Sequence, residues 1–265
     1  MVGRRGNPWL ATYAAGAVVL LYAPIAILFL FSFNETHYMA FPMKGLTLEW
    51  YRRMSQSAGL FAALSNSLQV AAVSSVSATM LGLLAAKAAT RYRFPGRAAS
   101  IGLIMAPLVI PEIVLGTSLL AYLLAAGFKL SLATVTLGHI LLCTPFAFAV
   151  LSSRLAGFDP SLEEASLDLG ESRPATFLRV TMPLILPGII ASLLLCFLIS
   201  FDEFLMAFFL AGTDQTLPVF MYSQLRFPKK LPEVLALGTC VILASIVLIV
   251  LAEPLRRRGA APAEQ

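Results

Sequence analysis

Four ionisable side chains stand inside or at the edge of stretches that otherwise carry no charge: Glu112, His139, Asp202 and Glu203. Carboxylates in that setting can bind a cation, relay a proton or, when protonated, hydrogen-bond the open backbone of a broken helix. A second group of acids is crowded into "DPSLEEASLDLGESRPATFLRVTMP", Asp159 to Pro183, where Asp159, Glu163, Glu164, Asp168 and Glu171 make up five of the chain's fourteen acids. Covalent chemistry has little to work with. Gly116-Thr117-Ser118 with His139 is the best nucleophile and base pair, but no glycine turn follows the serine. Cys143, Cys196 and Cys240 fall in apolar surroundings as small packing residues, with no metal-ligand spacing. Asn34-Glu35-Thr36 fits a glycosylation acceptor, a weak three-residue pattern.

The elements that must position these groups are membrane helices. The chain is 58% hydrophobic and only 12% charged, too little polar surface for a water-soluble domain of this size. No Lys, Arg, Asp or Glu occurs from Gly6 to Asn34, from Met54 to Ala86, from Leu130 to Ser153, from Val180 to Phe201 or from Val234 to Ala252, and Glu112 is the only one between Arg97 and Lys129. A spanning helix needs roughly 20 apolar residues. Six segments qualify, near 9–33, 63–88, 99–125, 131–153, 184–209 and 234–252. They are too long and too evenly apolar for barrel strands. Arg4 and Arg5 resemble the start of a signal peptide, but the apolar run is too long and lacks a small-x-small cleavage site, so it reads as an uncleaved first helix. The expectation is an all-α integral membrane protein with six transmembrane helices.

Six spans put both termini on one side. If that side is cytoplasmic, 12 of the 19 Lys and Arg lie inside and 7 outside, which the positive-inside rule favours. The net charge of +5 is then topology; the basic residues are scattered without stacking aromatics, and no nucleic-acid surface is expected. The organisation predicted is an N-terminal helix and outer segment over 1–60, a core of five helices over 61–253 with its largest cytoplasmic loop at 154–183, and a tail over 254–265. "LTLEWYRRM" (Leu46–Met54) mixes Trp50 and Tyr51 with Arg52 and Arg53 and reads as a helix lying in the outer lipid interface.

In this orientation the acidic loop is cytoplasmic. Ser161 to Glu164 fits a capping box after Pro160. Gly170 is a natural stop, and Ser172 or Arg173 can start a second short helix that must end before Pro183. On the first helix Glu164, Asp168 and Glu171 share a face, beside a small apolar ridge of Leu162, Ala165, Ser166 and Leu169. Such a helix suits a groove on another protein. A solvated loop whose acids merely avoid the membrane fits the same pattern.

Glu164-Ala165-Ser166, then Gly170, then Val180-Thr181-Met182-Pro183 resembles the "EAA" signature of ABC importer permeases, E-A-A-x3-G-x9-I-x-L-P. Glu164, Ala165, Gly170 and Pro183 match, while Ser166, Val180 and Met182 depart mildly. "NSLQVAAVSSVSATMLGLLAAKAATRY" (Asn66–Tyr92), "APLVIPEIVLG" (Ala106–Gly116), "GHILLCTPFAFAVLSSRL" (Gly138–Leu155), "LISFDEF" (Leu198–Phe204) and "TLPVFMYSQLR" (Thr216–Arg226) are similar to the spermidine/putrescine branch. The resemblance covers roughly residues 10–255. It implies a type I ABC importer permease fold in a bacterial inner membrane, not an enzyme. The partners implied are a homologous permease subunit, two cytoplasmic ATPase subunits and a periplasmic substrate-binding protein, besides membrane lipid. By the same resemblance, the loop faces the ATPase through Glu163, Glu164, Ala165, Ser166, Asp168, Gly170, Val180, Met182 and Pro183. The chain has no G-x-x-x-x-G-K-[ST] loop, so it is expected to bind no cofactor itself, with ATP and Mg at the partner ATPase.

Straight helices rising about 1.5 Å per residue put Glu112 about 20 Å and Asp202 about 27 Å above the cytoplasmic side, with His139 about 12 Å below the outer surface. Acids at similar depth can take a cation, with Phe201 and Phe204 adding cation–π contacts. The substrate pathway is therefore expected at Asp202, Glu203, Glu112, Phe201 and His139. The bland alternatives stay open: Asp202 and Glu203 as the outer end of a span, Glu112 as a structural acid beside Pro107 and Pro111, His139 as a packed histidine and the phenylalanines as packing residues. The branch points to a polyamine but includes carriers of other solutes. An ion-driven secondary transporter would use the same acids as proton carriers, but no internal repeat supports it.

Overall fold

A computed structural model describes residues 8–258, and among them every regular element is helical. The order is α1 (Pro8–Phe31), α2 (Glu49–Ser55), α3 (Ala58–Arg91), α4 (Arg97–Val109), α5 (Glu112–Ala125), α6 (Leu132–Ala156), α7 (Ser161–Asp168), α8 (Arg173–Thr176), a π turn (Phe177–Thr181), α9 (Met182–Asp202), α10 (Leu205–Leu210), α11 (Leu217–Gln224), a 3-10 turn (Pro228–Lys230) and α12 (Leu231–Arg258). Arg4 and Arg5 and the end of the tail lie outside the described residues.

Among the described residues, four helical stretches are long and apolar enough to cross a membrane: Trp9–Phe31, Ala58–Arg91, Leu132–Ala156 and Arg173–Asp202. The segment expected as a straight span over 99–125 is instead α4 and α5, bent by 106° and a fifth span only if the pair counts as one. The cause is local. Pro111 has no N–H to continue the α4 ladder, and it holds Ile110 in the extended region at ψ 129°. The segment expected over 184–209 is likewise broken: α9 stops at Asp202, Glu203 is extended, and α10 follows.

The chain divides into two compact units. The first joins Met1–Ala58 with Met221–Glu253. Its ordered corner is the segment after α1, where the Trp50 indole N–H donates to Asn34 O at 2.7 Å and Ser32 and Tyr51 share a 2.7 Å hydroxyl contact. Trp50 is thus buried against the protein. Glu49 pairs with Arg52 and Arg53 at 2.9 and 3.0 Å, and these guanidinium groups hold its carboxyl below the usual range. Asn34 cannot serve as a glycosylation acceptor in this fold. It is buried, and its amide donates to Thr36 Oγ1 at 2.8 Å and to Tyr38 O at 3.2 Å.

The second unit, Gly59–Phe220 with Pro254–Gln265, holds the packed core. Its helices approach on small residues, as membrane helices do in the absence of a hydrophobic drive between them. Ala78, Cys143, Ala147 and Cys196 form one buried cluster, with Thr79 and Ser192 touching at 3.1 Å beside it. A second cluster joins Ala86 and Ala89 of α3 to Phe148, Leu151 and Leu155 of α6 and Ile185 of α9. A third seats Met206, Ala207 and Leu210 of α10 against Val70, Leu123 and Val135. That seat depends on Gly138, since a Cβ there would lie 2.7 Å from Leu210 Cδ1. The Thr134 hydroxyl, donating to Leu210 O at 2.8 Å, ties the far end of α10 to the start of α6.

Candidate functional site

The two helix breaks face one another. Glu112 opens α5 just after the first break, and Asp202 and Glu203 sit at the second. All three line one cavity of about 320 Å3 with Leu142, Ile199, Phe204 and Leu205. The acids expected to meet do so, but at two bends rather than on two straight helices, so the straight-helix height of Glu112 does not hold. Glu112 and Asp202 are exposed, and Asp202 is the last residue of α9.

Glu203 is a different kind of acid. It is 7% exposed and turned inward because its own backbone is extended. Oε1 accepts the Met206 N–H at 2.9 Å and Oε2 the Ala207 N–H at 3.1 Å, so the carboxylate caps α10. His139 Nε2 stands 3.1 Å from Oε2, off the hydrogen-bond axis, while Nδ1 lies 2.7 Å from Ser200 Oγ. His139 is therefore a packed histidine behind the cavity wall, linked to it through Glu203. Phe201 stacks on Phe197 at 6.0 Å, and Phe204 takes the place on the wall.

At the other site, α7 begins one residue earlier than a Ser161 cap requires. Pro160, at φ −58° and ψ −24°, is already helical, so Ser161 is inside the helix and no capping box forms. Asp159 supplies the cap, accepting the Ser161 N–H at 3.0 Å, and that bond holds its carboxyl below the usual range. Gly170, at φ +89°, ends α7 in the left-handed conformation that glycine adopts without strain. Gly170 N–H reaches Leu167 O at 2.9 Å and Glu171 N–H reaches Ser166 O at 3.2 Å, the paired bonds of a Schellman stop. Ser172 then caps α8, accepting the Ala175 N–H at 3.4 Å.

The second short helix does not end before Pro183. It runs on through the π turn into α9, where Met182 N–H reaches back to Phe177 O. A wider turn at this point accommodates the proline ring, which would otherwise crowd the carbonyl four residues back.

Two contacts stiffen the loop: Ser166 Oγ meets Thr176 Oγ1 at 3.0 Å, and Glu171 pairs with Arg179. Glu164, Ala165, Asp168 and Gly170 face out, and so do Leu162 and Leu169, the latter 87% exposed. Pro183 is exposed, and Val180 and Met182 are half-buried. Glu163 points the other way. Its Oε2 lies 2.9 Å from Arg91 Nε and its Oε1 accepts from Thr181 Oγ1 at 2.6 Å. Arg91 and Thr181 were not legible as site residues, since Arg91 stands far from the loop in sequence and Thr181 falls at the unspecified position between Val180 and Met182.

A helical membrane protein with a stiffened, acid-bearing helix pair outside its apolar spans and an acidic cavity between broken helices is a transport subunit by its build. The chain belongs to the family described as the binding-protein-dependent transport system inner membrane component, which it matches over residues 78–258. It is 35% identical over 240 residues to the spermidine/putrescine transport system permease protein PotC of Haemophilus influenzae, covering 90% of this chain and 93% of that one. To the Escherichia coli K12 PotC it is 34% identical over 260 residues, 97% and 96% of the two chains. To the putrescine transport system permease protein PotI of the same strain it is 33% identical over 244 residues, 89% and 86%. Among solved structures, the bacterial alginate ABC transporter bound to a pentasaccharide-loaded periplasmic protein shares the fold at TM-score 0.70 and 16% identity, covering 94% of each chain. The inward-facing MetNI methionine ABC transporter does so at TM-score 0.59 and 14% identity, covering 82% of this chain and 100% of that one. The protein is a multi-pass inner-membrane permease component, of a family whose members are not themselves enzymes.

Proposed function

We propose that this chain forms half of the pathway of an ATP-driven importer for a polyamine such as putrescine or spermidine. The observation that carries the reading is the cavity between the two helix breaks, where Glu112, Asp202 and Glu203 meet against an otherwise apolar wall. A flexible chain of methylenes ending in ammonium groups matches that combination of carboxylate and apolar surface. The names of the PotC and PotI relatives support the same solute class. In this reading α12 is the sixth span and both termini are cytoplasmic, consistent with the 12-to-7 division of basic residues. A homologous permease supplies the other half, a periplasmic protein delivers the solute, and two ATPases hold ATP and Mg against the outward face of α7.

Uptake of labelled putrescine and spermidine in cells lacking the chain, with and without its restoration, tests the solute. Restoration of uptake is the expected result; unchanged uptake with the partner subunits intact would reject a polyamine. The docking face has its own test. Leu169→Asp places a charge on an exposed apolar ridge and leaves the fold's interior untouched. Burying that charge costs several kcal/mol, roughly a hundredfold or more in affinity. The ATPase should no longer co-purify with the Leu169→Asp permease, and undiminished co-purification would move the docking surface elsewhere.

A further inference from the structure

The last turn of α3 meets the loop at three separate points. Arg91 Nε stands 2.9 Å from Glu163 Oε2, with the two side chains only 14% and 18% exposed. The Arg91 guanidinium also lies 5.2 Å over the Phe158 ring, just ahead of α7. One turn back on the same face of α3, Lys87 Nζ lies 3.9 Å over the ring of Phe177, the first residue of the π turn. Glu163 closes the set, because its other oxygen accepts from Thr181 Oγ1 at the end of that turn. One cavity of about 550 Å3 is shared by Lys87 and Arg91 of α3 and by Glu163, Glu164 and Thr181 of the loop. Side chains thus hold the end of α3 to the loop.

We propose that Arg91 is a positioning residue that carries movement of the loop to α3, in parallel with the covalent path into α9. The inference rests on the importer reading above. One carboxylate, Glu163, serves both paths: through Thr181 it holds the π turn at the foot of α9, and through Arg91 it holds α3. A partner that shifts α7 therefore moves two membrane helices together. Without Arg91 the loop can still turn α9 while α3 stays behind. Arg91 has both Nε and Nη2 buried with no hydrogen-bond partner, so its position depends on the charge of Glu163 and the ring of Phe158. Loss of either charge leaves the other partly buried and uncompensated, which loosens the connection from either end.

The test is the solute moved per ATP hydrolysed, measured on the full complex with its binding protein in proteoliposomes and normalised to assembled complex. The variants are Arg91→Gln, Glu163→Gln and the exchanged pair Arg91→Glu with Glu163→Arg. Each single substitution should leave ATP hydrolysis within about twofold while lowering solute per ATP roughly fivefold, and the exchanged pair should recover most of the loss. An unchanged ratio in the singles overturns the proposal. So does a fall confined to the amount of complex assembled, because a purely structural contact would move that amount and not the ratio. A wild-type complex whose ATP hydrolysis moves no solute would instead overturn the importer reading, and the inference with it.

Discussion

Asp202→Asn should cut uptake of a cationic solute at least about tenfold and leave the amount of assembled complex unchanged. Asp202 ends α9, is exposed, and lines a cavity whose remaining wall is largely apolar. A unit charge about 4 Å from a carboxylate gains about 4 kcal/mol at an effective dielectric of 20, and each 1.4 kcal/mol is a factor of ten. Desolvation offsets part of that gain, so a tenfold loss is the smaller end of the expectation. Asn keeps the shape of the side chain and removes only the charge. The effect should appear as a raised concentration for half-maximal uptake. Glu112→Gln should act in the same direction but more weakly, because Glu112 opens α5 and the helix dipole there already favours its charge. An unchanged concentration dependence in Asp202→Asn would remove the cavity from the solute's path.

Asp202 shows how far a sequence reading reaches. The helical character of the apolar stretches and the Gly170 stop are local properties, and both stand where the sequence places them. The bends are less accessible. Apart from Glu112 and the Asp202-Glu203 pair, the segments flanking both breaks are apolar, so hydropathy averaged over a span runs through both breaks. Pro107 and Pro111 mark the first break as a possible weak point but do not fix its angle, which depends on what α5 packs against. The acids in "LISFDEF" mark an end of α9 but not the extended backbone of Glu203, which is stabilised by groups brought in from α6 and α10.

The same distinction runs through the acidic loop. Glu163 and Glu164 are adjacent and chemically alike, and the spacing rule that groups Glu164 with Asp168 and Glu171 says nothing about Glu163. Arg91 settles its direction, from a helix whose last turn lies far away in sequence and whose charge reads as one more cytoplasmic positive. Pro160 decided the start of α7 against the Ser161 capping box, because a residue already held in the helical region cannot leave its neighbour outside the helix.

Glu203→Ala should behave in the opposite way to Asp202→Asn, losing the folded protein rather than the solute. The two carboxylates are neighbours, but Glu203 is buried and its oxygens are committed to the Met206 and Ala207 N–H groups, with His139 Nε2 3.1 Å away. Alanine leaves both N–H groups at the start of α10 without an acceptor and frees His139 from its only nearby carboxylate among the described contacts. Breaking one side of such a buried set costs about 3–5 kcal/mol, most of the margin that keeps a domain folded. The measurements are monodisperse protein recovered in detergent and its thermal midpoint, and both should fall sharply. Glu203→Gln keeps one acceptor oxygen for α10 and should fall between wild type and Glu203→Ala. Wild-type recovery and midpoint in Glu203→Ala would mean that α10 is held by its apolar seat against Val70, Leu123 and Val135 alone. The expected collapse would mean that the carboxylate holds the break, and with it the wall of the cavity on which Asp202 stands.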